Sequence, residues 1–166
     1  MTTASKLSLA VLALTLVGAS VAQAQSANIT ATATVLTPLT LTGTANLAFG
    51  NVFPGINKTV APADAASGRF TIAGNPGSQV SMTFTLPTNL TGPGTLAIAT
   101  WTGEHNNTNT TGGTAFTPSA AATLATLDAT TGNRFLFLGA TVQPTVAQPA
   151  GAYTGTITLN VVYTGL

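Results

Sequence analysis

Apolar and polar residues alternate along short stretches of this chain, the period of a β-strand with one buried face. From Asn28 to Val35 the alternation is strict, with Ile29, Ala31, Ala33 and Val35 on one face and Asn28, Thr30, Thr32 and Thr34 on the other. Pro38 has no N–H to give a ladder and separates this strand from a short one at Leu39 to Thr42. Leu47 and Phe49 alternate before a Pro54-Gly55 turn, Phe70 and Ile72 follow, and Val80, Met82, Phe84 and Leu86 share one face. "TLAIATW", "ATLATL" and the more apolar "RFLFLGATV" come next. The last run places Tyr153, Ile157, Leu159, Val161 and Tyr163 in one register, with Thr154, Thr156, Thr158 and Asn160 between them.

Turn clusters such as "PTNLTGPG" and "QPTVAQPAG" separate these runs, and Thr102 to Ser119 reads as a long polar loop. Only Ala120 to Leu127 also reads as a helix. About eight or nine short strands at this spacing predict an all-β fold, an antiparallel β-sandwich. No fixed-period repeat points to a solenoid or propeller.

The first residues break the pattern. Lys6, the apolar run Leu7 to Val17 and the small-x-small triplet Ala22-Gln23-Ala24 predict a secretory signal peptide over residues 1–24. No run after it reaches the roughly 18 apolar residues of a membrane span. The expected organisation is a signal at 1–24, a separate N-terminal strand at 25–35 and one sandwich domain at 36–166. The expected location is the periplasm in transit, then the cell surface or an extracellular fibre. Beyond residue 24, Lys58, Arg69 and Arg134 balance Asp64, Glu104 and Asp128. Such a surface has nothing to steer nucleic acid, and little repulsion to keep copies apart. Cysteine is absent, so the hydrophobic core must supply the stability.

Three carboxylates and one histidine after the signal leave little from which to build an active site, and the chain reads as no enzyme. Glu104-His105 lacks a further ligand at metal-binding spacing and reads as a solvated loop tip. Asp128, in "LDATTGN", reads as a turn residue. No metal or cofactor is expected. Trp101, followed by the polar loop, has the form of a stacking platform for a sugar ring, or of an aromatic covering the sandwich edge.

The chain thus begins and ends with its cleanest strands, and a terminal strand must pair within its own sheet or offer its edge to another molecule. Two stretches carry a family likeness. "NITATATVLTPLTLTGTANLAFGNVFPG" holds an "L-x-F-G" element at Leu47, Phe49 and Gly50. "QPAGAYTGTITLNVVYTGL" holds a "P-x-G-x-Y-x-G" turn at Pro149, Gly151, Tyr153 and Gly155, then a strand ending near Tyr163. In their order and spacing these resemble the two ends of the bacterial DUF4402 domain and, more distantly, of spore coat U-type and other chaperone-usher pilin subunits. The resemblance implies an immunoglobulin-like sandwich lacking its final strand. It also implies delivery by a periplasmic chaperone, assembly at an outer-membrane usher and polymerisation by donor-strand exchange. Under that reading Ile29, Ala31, Ala33 and Val35 are the donor residues, and Tyr153, Ile157, Leu159, Val161 and Tyr163 mark the acceptor strand of a head-to-tail homopolymer. The alternative is a self-complete sandwich that binds host or matrix glycan through Trp101 and the Thr102 to Thr111 loop.

Overall fold

The structure, a computed structural model, describes residues 25–164; the expected signal peptide and the last two residues lie outside the described residues. The described residues hold ten strands and no helix. In chain order these are β1 (Thr40–Ala45), β2 (Lys58–Val60), β3 (Gly68–Ala73), β4 (Gln79–Thr85) and β5 (Asn89–Thr91). They continue with β6 (Thr95–Asn106), β7 (Thr114–Phe116), β8 (Thr123–Thr126), β9 (Asn133–Gln143) and β10 (Thr158–Tyr163). They form two antiparallel sheets facing each other as a β-sandwich. The larger has the order β1-β3-β9-β6-β5, with β2 also on β9 and β7 also on β6; the smaller is β10-β4-β8.

The main core lies between the sheets. On the smaller sheet, alternation points Val80, Met82 and Phe84 inward, joined by Ala125, Leu127 and Leu159; Ile72, Leu136 and Leu138 meet them from the larger sheet. β9 and β6 are 11 and 12 residues long, against 6 and 7 for β10 and β4, so the larger sheet runs on past the smaller one. Its excess carries a second cluster of Leu96, Ile98, Ala140 and Val142. No strand of the smaller sheet covers this cluster. Leu47, Phe49, Val52, Leu90, Trp101 and Tyr153 pack on it instead.

Several expectations are corrected. Residues 25–39 form no strand, so the alternation at Asn28–Val35 has no ladder, and Ile29 and Val35 are 96 % and 95 % exposed. Leu47 and Phe49 lie in irregular chain, their side chains half-buried on the second cluster. Of the two readings of Ala120–Leu127, strand and helix, the strand holds: the stretch contains β8, whose Ala125 is buried in the core. The long loop is shorter than expected, because β6 continues to Asn106 and β7 pairs back on it at Gly103 to His105. The last strand begins at Thr158, not Tyr153. Thr154 instead makes a two-bond bridge with Thr91 at the far edge of the larger sheet (2.8 and 2.9 Å), and the chain then crosses to the smaller sheet as β10. The crossing passes so close to β5 that a Cβ on Gly155 would stand 2.7 Å from Leu90 Cδ2.

Two tyrosine hydroxyls fasten the ends of β10's segment. The Tyr153 hydroxyl donates to Pro149 O and accepts from Gln148 Nε2, both at 2.7 Å. The Tyr163 hydroxyl donates to Thr37 O and accepts from the Asn75 N–H, again at 2.7 Å, joining the chain entry to the β3–β4 turn. Tyr163→Phe removes both bonds and is expected to cost about 1–2 kcal/mol. Urea unfolding of the two proteins measures this; an unchanged midpoint would show that the hydroxyl holds nothing.

Candidate functional site

β10 lies at an edge of its sheet, and β1 lies at an edge of the other. Tyr163 at the end of β10 contacts Thr37 and the turn after β3, while β1 pairs with β3, so both open edges lie on the same side of the sandwich. The Thr164 N–H donates to Gln79 O at 3.1 Å. Antiparallel pairs alternate between bonded and non-bonded positions. The backbone groups of Thr158, Asn160 and Val162 therefore face β4, and those of Leu159, Val161 and Tyr163 face the open edge. The same three side chains point to the core, Leu159 buried and the other two only half covered. β1 is exposed along its whole length and carries no charge.

A cleft of about 1180 Å³ opens between β1 and the segment that leads into β10. Gly43 and Ala45 of β1, Phe70 of β3, Ile157 just before β10, and Phe53 and Pro54 line it, and it reaches Leu96, Ile98 and Val142 of the second apolar cluster. No Asp, Glu, Lys, Arg or His lines it. Such a surface has nothing to offer a charged ligand, and suits an uncharged chain that brings apolar side chains and its own backbone donors and acceptors.

Of the expected acceptor residues, Tyr153 and Ile157 line the cleft, Tyr153 packed on the second cluster, while Leu159, Val161 and Tyr163 pack on the main core along β10. The donor residues are described by themselves: each of Ile29, Ala31, Ala33 and Val35 is exposed. β1 and the wall at Phe70 were not singled out by sequence reasoning; the uncharged run "TLTGTA" was their only signal.

Trp101 lies within β6 and not at its end. β6 holds a β-bulge between Ala99 and Thr102, and Thr100 at φ 54° is the only non-glycine residue with positive φ among the described residues. The extra residue shifts the alternation by one, so Leu96 and Ile98 before it and Gly103 and His105 after it all face inward. Trp101 then packs half-buried on the second cluster and lines the cleft.

Glu104 and His105 are also corrected, from loop tip to strand. As successive strand residues they point to opposite faces and cannot act together. Glu104 Oε2 accepts from the Gly112 N–H at 2.8 Å. His105 is 5 % exposed, with its ring 5.6 Å from that of Phe116. Asp128 caps its turn, accepting from the Thr130 and Thr131 N–H groups and the Thr131 hydroxyl; these bonds hold its carboxyl below the usual range. No group of three or more metal-ligating side chains occurs among the described residues.

Comparison with protein families, curated proteins and solved structures finds no match to this chain.

Burial, and secondarily the Arg134 guanidinium, holds the His105 imidazole below its ordinary value of 6.5. Below pH 6.5 the unfolded chain therefore binds a proton that the fold resists, and stability falls as the pH drops toward the folded value. His105→Leu should flatten that decline. Urea midpoints of both proteins between pH 7.5 and 5 test this, and parallel curves would refute it.

Proposed function

We propose that this protein is a structural subunit of a secreted surface fibre, joined to the next copy by donor-strand exchange. The reading rests above all on two unpaired strand edges, β1 and β10, together with an uncharged cleft lined by β1 and by the segment that leads into β10. An inserted strand bonds to the open edge groups of Leu159 and Val161 and covers the half-exposed side chain of Val161. The segment Asn28–Val35 has the matching chemistry: strict alternation, no charge, and apolar side chains of small to medium size. Insertion into another copy buries Ile29 and Val35 at about 1–3 kcal/mol each, and the two alanines at less. A contact of this kind runs head to tail and does not close on itself, which yields a filament.

The resemblance to DUF4402 and chaperone-usher subunits supports the same reading. It brings the immunoglobulin-like description of the sandwich, a periplasmic chaperone that covers the cleft before assembly, and an outer-membrane usher. The Tyr153 hydroxyl, bonded to the carbonyl four residues upstream, is a further point of likeness, since immunoglobulin-like sandwiches use a tyrosine in this way.

Two measurements test the proposal. The chain beginning at Leu36 should melt at a markedly higher temperature in the presence of a peptide spanning Ser26 to Thr37. A high melting temperature that ignores the peptide would mean that the sandwich is already complete, and would return attention to glycan binding at Trp101. In the chain starting at Gln25, Ala33→Asp should abolish polymers on a sizing column while leaving the monomer's melt unchanged; polymers at normal yield would sink the reading.

A further inference from the structure

The two ends of the sandwich differ. At one end Thr37, Asn75 and Tyr163 are bonded together beside the turn that leads into β9 at Asn133, and the surrounding loops, Asn75 to Ser78 and Asp128 to Gly132, are polar. The other end follows the last residue of β9, Gln143. There Gly55 N–H donates to Thr145 O at 3.0 Å, tying the turn at Phe53 to Ile56 onto the loop through Val146. These three side chains are 68 %, 62 % and 88 % exposed, an uncharged apolar group on two adjoining loops. Phe53 also lines the cleft. A surface of this kind calls for an occupant.

We propose that the occupant is a second copy of the chain: the Thr37–Tyr163 end of one copy seats on the Phe53–Ile56–Val146 end of the next. This rests on the donor-strand reading above and adds the surface that the strand connection forces together. Val35, the last apolar residue of the donor segment, is separated from the anchored Thr37 by Leu36 alone, and two residues of chain span about 7 Å at most. The cleft that receives Val35 must therefore open almost against the donor copy's own Thr37–Tyr163 end. In the receiving copy, Thr37 and Leu39 already occupy the corresponding end of β10, bonded to Tyr163 and packed on the core. The donor chain must leave by the opposite end, where Phe53 stands. The donor then runs antiparallel to β10, and the polar loops of one copy come down over Ile56 and Val146 of the next.

The test uses the chain starting at Gln25 and its double variant Ile56→Ser/Val146→Ser, two positions outside the cleft lining. Both positions are exposed, so the fold does not depend on them. Polymers of each are diluted and heated, and their dissociation is followed by sizing; in parallel, the Ser26–Thr37 peptide is titrated onto each protein lacking residues 25–35. The expected result is unaltered peptide affinity with polymers that dissociate about tenfold faster, since losses at an interface appear chiefly in the off-rate. Equal peptide affinity with equal dissociation would overturn the end-to-end contact and leave the donor-strand reading standing. Reduced peptide affinity in the variant would place these side chains inside the cleft, also against the proposal. A peptide that fails to bind even the unsubstituted domain would remove the donor-strand reading, and this contact with it. Sedimentation of the unsubstituted monomer, but not the variant, with phosphatidylcholine vesicles would make the patch a lipid contact and overturn it too.

Discussion

A sheet whose central strands are 11 and 12 residues long faces one built from strands of 4 to 7, and this inequality governs the structure. Apolar surface that finds no opposite sheet must find some other cover. Irregular chain supplies part of it: the stretch with Leu47, Phe49 and Val52, and the loop with Tyr153, lie over Leu96, Ile98, Ala140 and Val142. Irregular chain has no ladder of its own to offer, so it covers side chains without satisfying strand edges. The cleft and the open flanks of β1 and β10 are the remainder of that imbalance. Under the proposed function, the cover for them is one more strand, brought by another copy.

The tyrosine hydroxyls show how the imbalance is kept in register. β10 reaches the smaller sheet only after a bridge at Thr154 to the other edge of the larger one, so its path has to be pinned at both ends. Tyr153 pins the start by bonding within its own loop, and Tyr163 pins the finish by bonding across the chain entry. Each hydroxyl both donates and accepts. The edge that β10 presents is thereby held straight without help from a neighbour on its outer side.

Alternation made much of this legible before any coordinates. Val80, Met82 and Phe84 turn inward as their spacing requires, and Leu136 and Leu138 are central to the core as the apolar run containing them implied. Where the pattern misled, a second requirement had overruled it. Asn28 to Val35 has a strand's alternation but no ladder, since alternation describes a face and not a partner. "GEHN" carries turn-forming residues, yet a neighbour on each side, β9 and β7, holds it in β6. The bulge at Thr100 was present in the sequence as a change of phase, Leu96 and Ile98 in one register and Trp101 and His105 in the other. Continued from Leu96 and Ile98 without that change, one register would put Trp101 on the opposite face. The cleft itself was not legible, because its walls come from Gly43, Phe70 and Ile157, which no local pattern connects.

The anchor at Thr37 also determines how tension would travel. A pull on the N-terminal segment reaches the body at a carbonyl held by Tyr163, the last residue of β10, and passes at once into a strand paired residue for residue with β4 from Thr158 to Tyr163. Load delivered along that strand acts on its six registered positions in shear, all together, and does not peel them apart one after another. The hydroxyl that closes one end of the sandwich is thus also the point at which a stretched chain would grip its fold.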